Sequence, residues 1–277
     1  MKYMLGLSGE PLSDKIDERL SGVGMIRSEY LCRACKEYIT TERCRKFIRE
    51  YVSNICKIYY PAEVWYRTTE FLSSEINTLK GVDTIINEKH CYLGLRGTRR
   101  GLKYPDTFQL ELENLAKVAQ EYDNLNVLFP FIYDSSELVK AKKLLKKVKF
   151  PGKYGIMAEI PATILMLDKF CEQGISNITI GVNDLTSLTL GMERGQYADH
   201  SHPSVIKLIT LANSIGKKYN IPVSVAGYVT KKLESICVSL EIDSFIVHYN
   251  ALPEILDISA KHLKYLHFSK ELRDKYV

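Results

Sequence analysis

Eight short apolar runs, each followed by a stretch long enough to hold a helix, restrict the fold of this 277-residue sequence more than any other feature. They fall at residues 3–7, 23–26, 64–66, 125–132, 154–158, 178–182, 223–227 and 244–248. Between them, apolar residues recur at three- and four-residue spacing, as at Phe47, Ile48, Tyr51, Val52, Ile55 and Cys56, which marks amphipathic helices. Helices are predicted over 14–20, 41–59, 108–121, 135–147, 162–173, 204–218, 230–240 and 254–262. Strands alternating with helices in this way make an α/β fold, a (β/α)8 TIM barrel, and about 250 residues suffice for one. A single barrel domain over 1–277 is the expected organisation.

In such a barrel the C-terminal ends of neighbouring strands lie side by side and form the active site. The fifth run stops at Glu159 and the sixth at Asn183-Asp184. Two carboxylates brought together there suit a hard divalent cation held by few protein oxygens plus substrate. Either carboxylate taken alone reads equally well as a helix N-cap; the pairing favours the metal. Arginines stand at three further ends: Arg27 after the second run, Arg67 after the third, and Arg96 at the close of a long polar connection over 68–92. Loops of that length tend to be functional. Guanidinium forks match the multi-oxygen geometry of a phosphoryl group in transfer, although a single exposed arginine more commonly serves a surface ion pair.

Composition narrows the class. With 45% hydrophobic and 26% charged residues the chain is ordinary globular material. No apolar run approaches the roughly 18 residues of a membrane span, and the start lacks a signal peptide's apolar core, so a cytoplasmic protein is expected. Seven cysteines, an odd number scattered through helix and strand patterns, suit reduced thiols; Cys32 and Cys35 have CxxC spacing, but no second pair completes a zinc set. The net charge of +5 is modest, and the lysines of 140–149 read as the solvated face of a helix with no nucleic-acid module beside them. His200 and His202, in a polar loop over 195–204, read as solvated histidines, and His248 as a rim or core residue.

GIMAEIPA at 155–162 and ITIGVNDLTSLTLGMER at 178–194 closely resemble the phosphoenolpyruvate/pyruvate-binding barrel of the PEP-utilising enzymes. The family includes phosphoenolpyruvate synthase, pyruvate phosphate dikinase and Enzyme I of the sugar phosphotransferase system. GVGMIRSEYL at 22–31 and LGLRG at 93–97 are similar to two further motifs of phosphoenolpyruvate synthase. The resemblance implies that Glu159 and Asp184 bind Mg²⁺ and that Asn183 is a phosphate-binding amide. By the same resemblance Arg194 lies on the substrate side, and Arg27, Arg67 and Arg96 steady the phosphoryl group. Glu193 stands where the family usually has Asp. A larger departure lies at 223–227: where the family has roughly Val-Gly-Ile-Cys-Gly-Glu, Ala226 takes the place of the proton-exchanging cysteine. Ser224, two residues back on the same strand face, and Tyr228 are the nearest substitutes.

The resemblance implies a Mg²⁺-dependent phosphotransferase acting on pyruvate or another small phosphate or carboxylate substrate. No ATP-grasp or P-loop motif and no phosphohistidine motif occurs in the 277 residues, so a separate phosphohistidine/ATP-grasp protein is the expected partner. A homodimer is implied too, with neither nucleic acid nor membrane as partner. Two other readings stay open: a Mg²⁺-dependent carbon–carbon lyase of the pyruvate-enolate superfamily, and a regulatory subunit that binds ligand without turnover.

Overall fold

Eight parallel strands close into a barrel in chain order: β1 (Lys2–Leu7), β2 (Leu20–Arg27), β3 (Val64–Arg67), β4 (Leu125–Phe129), β5 (Tyr154–Met157), β6 (Ile178–Gly181), β7 (Val223–Ala226) and β8 (Ser244–His248). The computed structural model describes residues 1–82, 84–195, 199–228 and 230–274; Gln196, Tyr197 and Ala198 of the 195–204 loop and Asp83 of the long connection lie outside them, as does the side chain of Cys91. The ring is sealed by β1 on β8, in register from Lys2 opposite Ser244 to Gly6 opposite His248. Among the described residues no helix is long and apolar enough to cross a membrane.

Two apolar layers hold the fold. Outward-facing strand residues such as Leu5, Val23, Tyr66 and Val127 pack against the helices in one large buried cluster. Inside the barrel, Met25, Trp65, Leu128, Met157, Ala226 and Ile246 form a second cluster, all at most 8% exposed. That inner layer is the floor on which the site rests.

The strands fall where the apolar runs place them, with one instructive overshoot. The run over 125–132 stops being a strand at Phe129, because Pro130 has no N–H to give the ladder and Phe131 turns to φ 50°. The helix predicted over 14–20 does not form. Leu20 already opens β2, which leaves Ile16 as the segment's only apolar residue, and local pairs such as Arg19 with Asp17 take its place. The helix predicted over 162–173 is split into Pro161–Leu165 and Leu167–Cys171, because the backbone leaves the helical region at Met166. The one expected over 254–262 is reduced to Leu252–Leu256 and a 3-10 turn at Ala260–His262, and a further helix, Phe268–Asp274, follows. Two helices without a sequence forecast, Ser28–Cys35 and Val182–Leu190, start immediately after β2 and β6 with no intervening loop. Asn183 and Asp184 therefore sit in a first helical turn, where the free N–H groups and the helix dipole favour negative charge.

Candidate active site

A cavity of about 800 Å³ opens at the C-terminal ends of the strands. Glu159 and Asp184 are buried beside it, 1% and 4% exposed, and Asp184 is bonded to its lining residues Tyr92, Arg96 and Arg194. Glu159 Oε1 accepts the Phe131 N–H at 2.7 Å. Its other oxygen lies over Gly181, where a β-carbon would come within 2.5 Å of it, so any side chain at 181 would push the carboxylate away. Asp184 is gripped from three sides: Oδ1 accepts the Tyr92 hydroxyl at 2.6 Å and faces Arg96 Nη1 at 3.5 Å, and Oδ2 faces Arg194 Nη2 at 3.2 Å.

The Phe131 turn is built for this task. Its left-handed backbone costs about 1 kcal/mol in a bulky residue, yet it aims the N–H at Glu159 and sets the ring 4.0 Å from the Arg96 guanidinium carbon. Gly97 makes room for it, since a β-carbon there would meet Phe131 Cβ and the Pro130 carbonyl at 2.7 Å. The last glycine of LGLRG is thus a packing requirement of the arginine before it.

Arg67 and Arg96 are buried and share a carboxylate that sequence reasoning missed. Glu70 Oε2 is 2.5 Å from Arg67 Nη1, and Glu70 Oε1 binds Arg96 Nη2. Arg67 Nη2 also meets Glu29 Oε1 at 2.5 Å. Burial alone would raise the Glu70 pKa, but Arg67 and Arg96 outweigh it and hold the carboxyl at about 2. Burial likewise opposes the charge on both arginines, and their carboxylate neighbours reverse it, so each pKa stands above the ordinary value. Glu159 has the opposite fate: burial first, then repulsion by Glu70 and Asp184, lifts it to about 8 against the arginines' pull.

Arg27 is held differently. Its Nε and Nη2 both donate to Ser8 Oγ, at 3.0 and 2.7 Å, its Nη2 lies 3.3 Å from His248 Nε2, and its guanidinium stacks 4.3 Å from the Tyr30 ring centre. Ser8 is fixed in turn by its N–H on Glu10 Oε2 at 2.5 Å. None of these direct partners is a carboxylate, and Arg27 lines the cavity.

The structure brings Arg27, Arg67, Arg96, Asn183, Arg194 and Tyr228 to the cavity wall, with Glu159 and Asp184 beneath. Asn183 Oδ1 accepts the Tyr228 N–H at 3.0 Å, which turns its amide N–H2 outward as a donor. Ser224 is not part of this group. It is 3% exposed and bonded to Ser244 Oγ at 2.8 Å, one layer below the apolar floor that contains Ala226. His200, expected in solvent, is buried with Nδ1 2.8 Å from Thr186 Oγ1, and burial lowers its pKa. His202 caps the helix Pro203–Tyr219. Cys32, Cys35 and Cys44 form a buried thiol group with raised pKa values between the helices Ser28–Cys35 and Glu42–Tyr59.

The donor set fits a hard cation. Glu159 and Asp184 offer carboxylate oxygens with lone pairs to spare, and burial with the neighbouring Glu70 and Asp184 raises the Glu159 pKa. Among the described residues no three His, Cys, Asp or Glu side chains form a ready cage. Two carboxylates would therefore share the ion with substrate and water.

Comparison with known proteins identifies the family. The profile described as PEP-utilising enzyme, PEP-binding domain, matches residues 9–263. The chain belongs to that family. Within it, the chain is 30% identical over 264 residues to the probable phosphoenolpyruvate synthase of Pyrococcus horikoshii, covering 87% of this chain and 32% of that one. It is 30% identical over 260 residues to the phosphoenolpyruvate synthase of Pyrococcus furiosus, with the same coverage. The chain thus spans about a third of the length of these curated relatives. Among solved structures, an HpcH/HpaI aldolase/citrate lyase family protein from Burkholderia cenocepacia J2315 superposes with a TM-score of 0.52 at 13% identity, covering 99% of this chain and 93% of that one. RipC from Yersinia pestis gives 0.52 at 9% identity, covering 97% and 94%. At such identities these two attest to the fold alone. For this PEP-binding barrel, the clustering of Arg27, Arg67, Arg96, Asn183 and Arg194 round one cavity is the feature the rest of the account builds on.

Proposed function

We propose that this PEP-binding barrel is the acceptor side of a Mg²⁺-dependent phosphoryl transfer, with a phosphohistidine on a separate partner protein as donor and pyruvate or another small carboxylate as acceptor. The observation that carries the reading is the buried Glu159 without an ion-pair partner among the described residues. Arg67, Arg96 and Arg194 pair with Glu29, Glu70 and Asp184, while burial and then repulsion by Glu70 and Asp184 lift the Glu159 pKa to about 8, which leaves positive charge to be supplied beside it. Mg²⁺ held by Glu159 and Asp184 would supply that charge and polarise the acceptor's oxygens.

The chain's own groups divide the remaining work. Arg27 grips the phosphoryl oxygens from the rim, and the amide N–H2 of Asn183 donates to another. Arg67 and Arg96, framed by Glu70, face the acceptor carboxylate. In the transfer the P–N bond breaks with its electron pair returning to the imidazole nitrogen, a P–O bond forms to the acceptor oxygen, and the proton of a hydroxyl acceptor passes to the departing imidazole. The walls align the two in line, which is the main protein contribution in reactions of this kind.

The floor favours one version of the acceptor. Ala226 packs among the apolar Met25, Trp65, Leu128, Met157 and Ile246, and it offers no thiol to take the C3 proton that pyruvate must lose on becoming an enol phosphate. A plain hydroxyl acceptor avoids that step, and we favour it over pyruvate on this observation. A homodimer and a cytoplasmic setting complete the proposal; the six described cysteines are buried and outside disulfides.

Phosphoimidazole can stand in for the phosphohistidine. With Mg²⁺ and a panel of small 2-keto and 2-hydroxy acids, ³¹P NMR should reveal a phosphorylated acid formed by the wild type and not by Asp184→Ala. No phosphorylated product from any acid, while the protein is folded, would count against phosphoryl transfer.

A further inference from the structure

The outer face of β3 carries a buried carboxylate that the site itself does not use. Glu111, on the helix Pro105–Ala119, is 1% exposed and accepts three hydrogen bonds. Its Oε1 takes the Thr69 N–H at 2.9 Å and the Tyr66 hydroxyl at 3.1 Å, and its Oε2 takes the Thr69 hydroxyl at 3.0 Å. Thr69 is the residue before Glu70. One side chain outside the barrel therefore pins both the end of β3 and the first turn of the connection that delivers Glu70 between Arg67 and Arg96.

A carboxylate buried with no ion-pair partner among the described residues is costly, and burial raises the Glu111 pKa to about 7 even with these three donors opposing it. A neutral glutamine would close much of the same geometry at lower cost. We infer that Glu111 is a positioning residue for the anion site, acting through Thr69 to keep Glu70, and with it the Arg67–Arg96 pair, in register for a ligand carboxylate or phosphate. The inference rests on the functional reading above for the ligand, and on the local geometry alone for the tether.

Two variants and two readouts separate these. Glu111→Leu fills the space and removes both acceptor oxygens, and with them all three bonds; Glu111→Gln keeps an acceptor for the Thr69 N–H. The first readout is calorimetric affinity for oxalate with Mg²⁺, the second is hydrogen exchange of the backbone amides of residues 68–72, each on protein verified as folded by its thermal transition. The inference expects Glu111→Leu to lose roughly tenfold in affinity, the worth of about one hydrogen bond to a charged group, and to exchange those amides faster. Glu111→Gln restores both towards the wild type. A folded Glu111→Leu with wild-type exchange and affinity overturns the inference, and so does faster exchange with unchanged affinity. A wild type that binds no oxalate instead defeats the functional reading; unchanged exchange in Glu111→Leu then defeats the tether as well, and faster exchange upholds it. Should Glu111→Leu not fold, Thr69→Val, which removes only the hydroxyl bond, takes its place with the same expected directions.

Discussion

The Tyr92 hydroxyl donates to Asp184 Oδ1 at 2.6 Å, which clasps the end of the long 68–92 connection to the carboxylate just after β6. The bond ties the Arg96 loop to the proposed metal ligand, and the Tyr92 ring lies 5.0 Å from the Arg96 guanidinium carbon on the same path.

Removing that hydroxyl leaves the ring and the fold in place. Tyr92→Phe is expected to weaken Mg²⁺-dependent oxalate binding by roughly tenfold, since a hydrogen bond to a charged group contributes about 1.5 kcal/mol or more. Calorimetric titration of the two proteins side by side checks it. Equal affinities would mean that the clasp has no part in holding Asp184 for its ligand.

Glu159 ties stability to pH in a definite direction. Its folded pKa is about 8 against an ordinary 4.5, so its contribution is full below the unfolded value and is lost as pH rises through the folded one. Without Mg²⁺ the melting temperature should fall between pH 6 and 9, and added Mg²⁺, which favours the ionised form, should lessen the fall. Glu111, at about 7, has the same sign, and melts of Glu111→Gln isolate the Glu159 part. Parallel melting curves with and without Mg²⁺ across this range would contradict the assignment.

Arg96 joins Glu70 to Asp184 in the buried network. Arg96→Ala leaves Glu70, whose side chain is 2% exposed, with Arg67 as its remaining partner, so the cost should stay below the roughly 3–5 kcal/mol of a buried charge left wholly unpaired. Urea denaturation should register that loss. Among variants that remain folded, pyruvate should weaken along with the phosphorylated ligands, because Arg96 faces the carboxylate; unchanged pyruvate affinity would remove Arg96 from the acceptor side.

How much of this was legible beforehand differs between the strands and the loops. The apolar runs located all eight strands, and their polar ends located Glu159, Asn183, Asp184, Arg27 and Arg67, because strand ends in a barrel are also its mouth. Ser224 was misjudged: a two-residue step down β7 is a whole layer, and it leads beneath the floor to Ser244. Glu70 and Tyr92 escaped notice because their roles come from the path of a long connection, which has no periodicity to read. Arg67-Thr-Thr-Glu70 did hold a hint, an arginine and a glutamate three residues apart, yet that spacing marks a pair only if the backbone curls, as it does after β3. The helices Ser28–Cys35 and Val182–Leu190 were hidden for a related reason, since each begins at its strand's last residue without a loop to mark the change.

The alanine in the floor gives a test of the acceptor's chemistry. Ala226→Cys adds one sulfur among Met157, Ile246 and their neighbours and should cost about 1 kcal/mol. If the acceptor is pyruvate, the new side chain can take the C3 proton at the floor as its thiolate, and pyruvate-dependent product from phosphoimidazole should rise in ³¹P spectra. No rise, with pyruvate binding retained, is the result expected for a hydroxyl acceptor.

The most direct test of the central claim is calorimetric titration of the wild type with phosphoenolpyruvate, pyruvate and oxalate, each with and without Mg²⁺. The account predicts binding of at least one of them that requires Mg²⁺ and disappears in Asp184→Ala. Folded protein that binds none of the three, or binds them equally well without the ion, would contradict a Mg²⁺ site at Glu159 and Asp184.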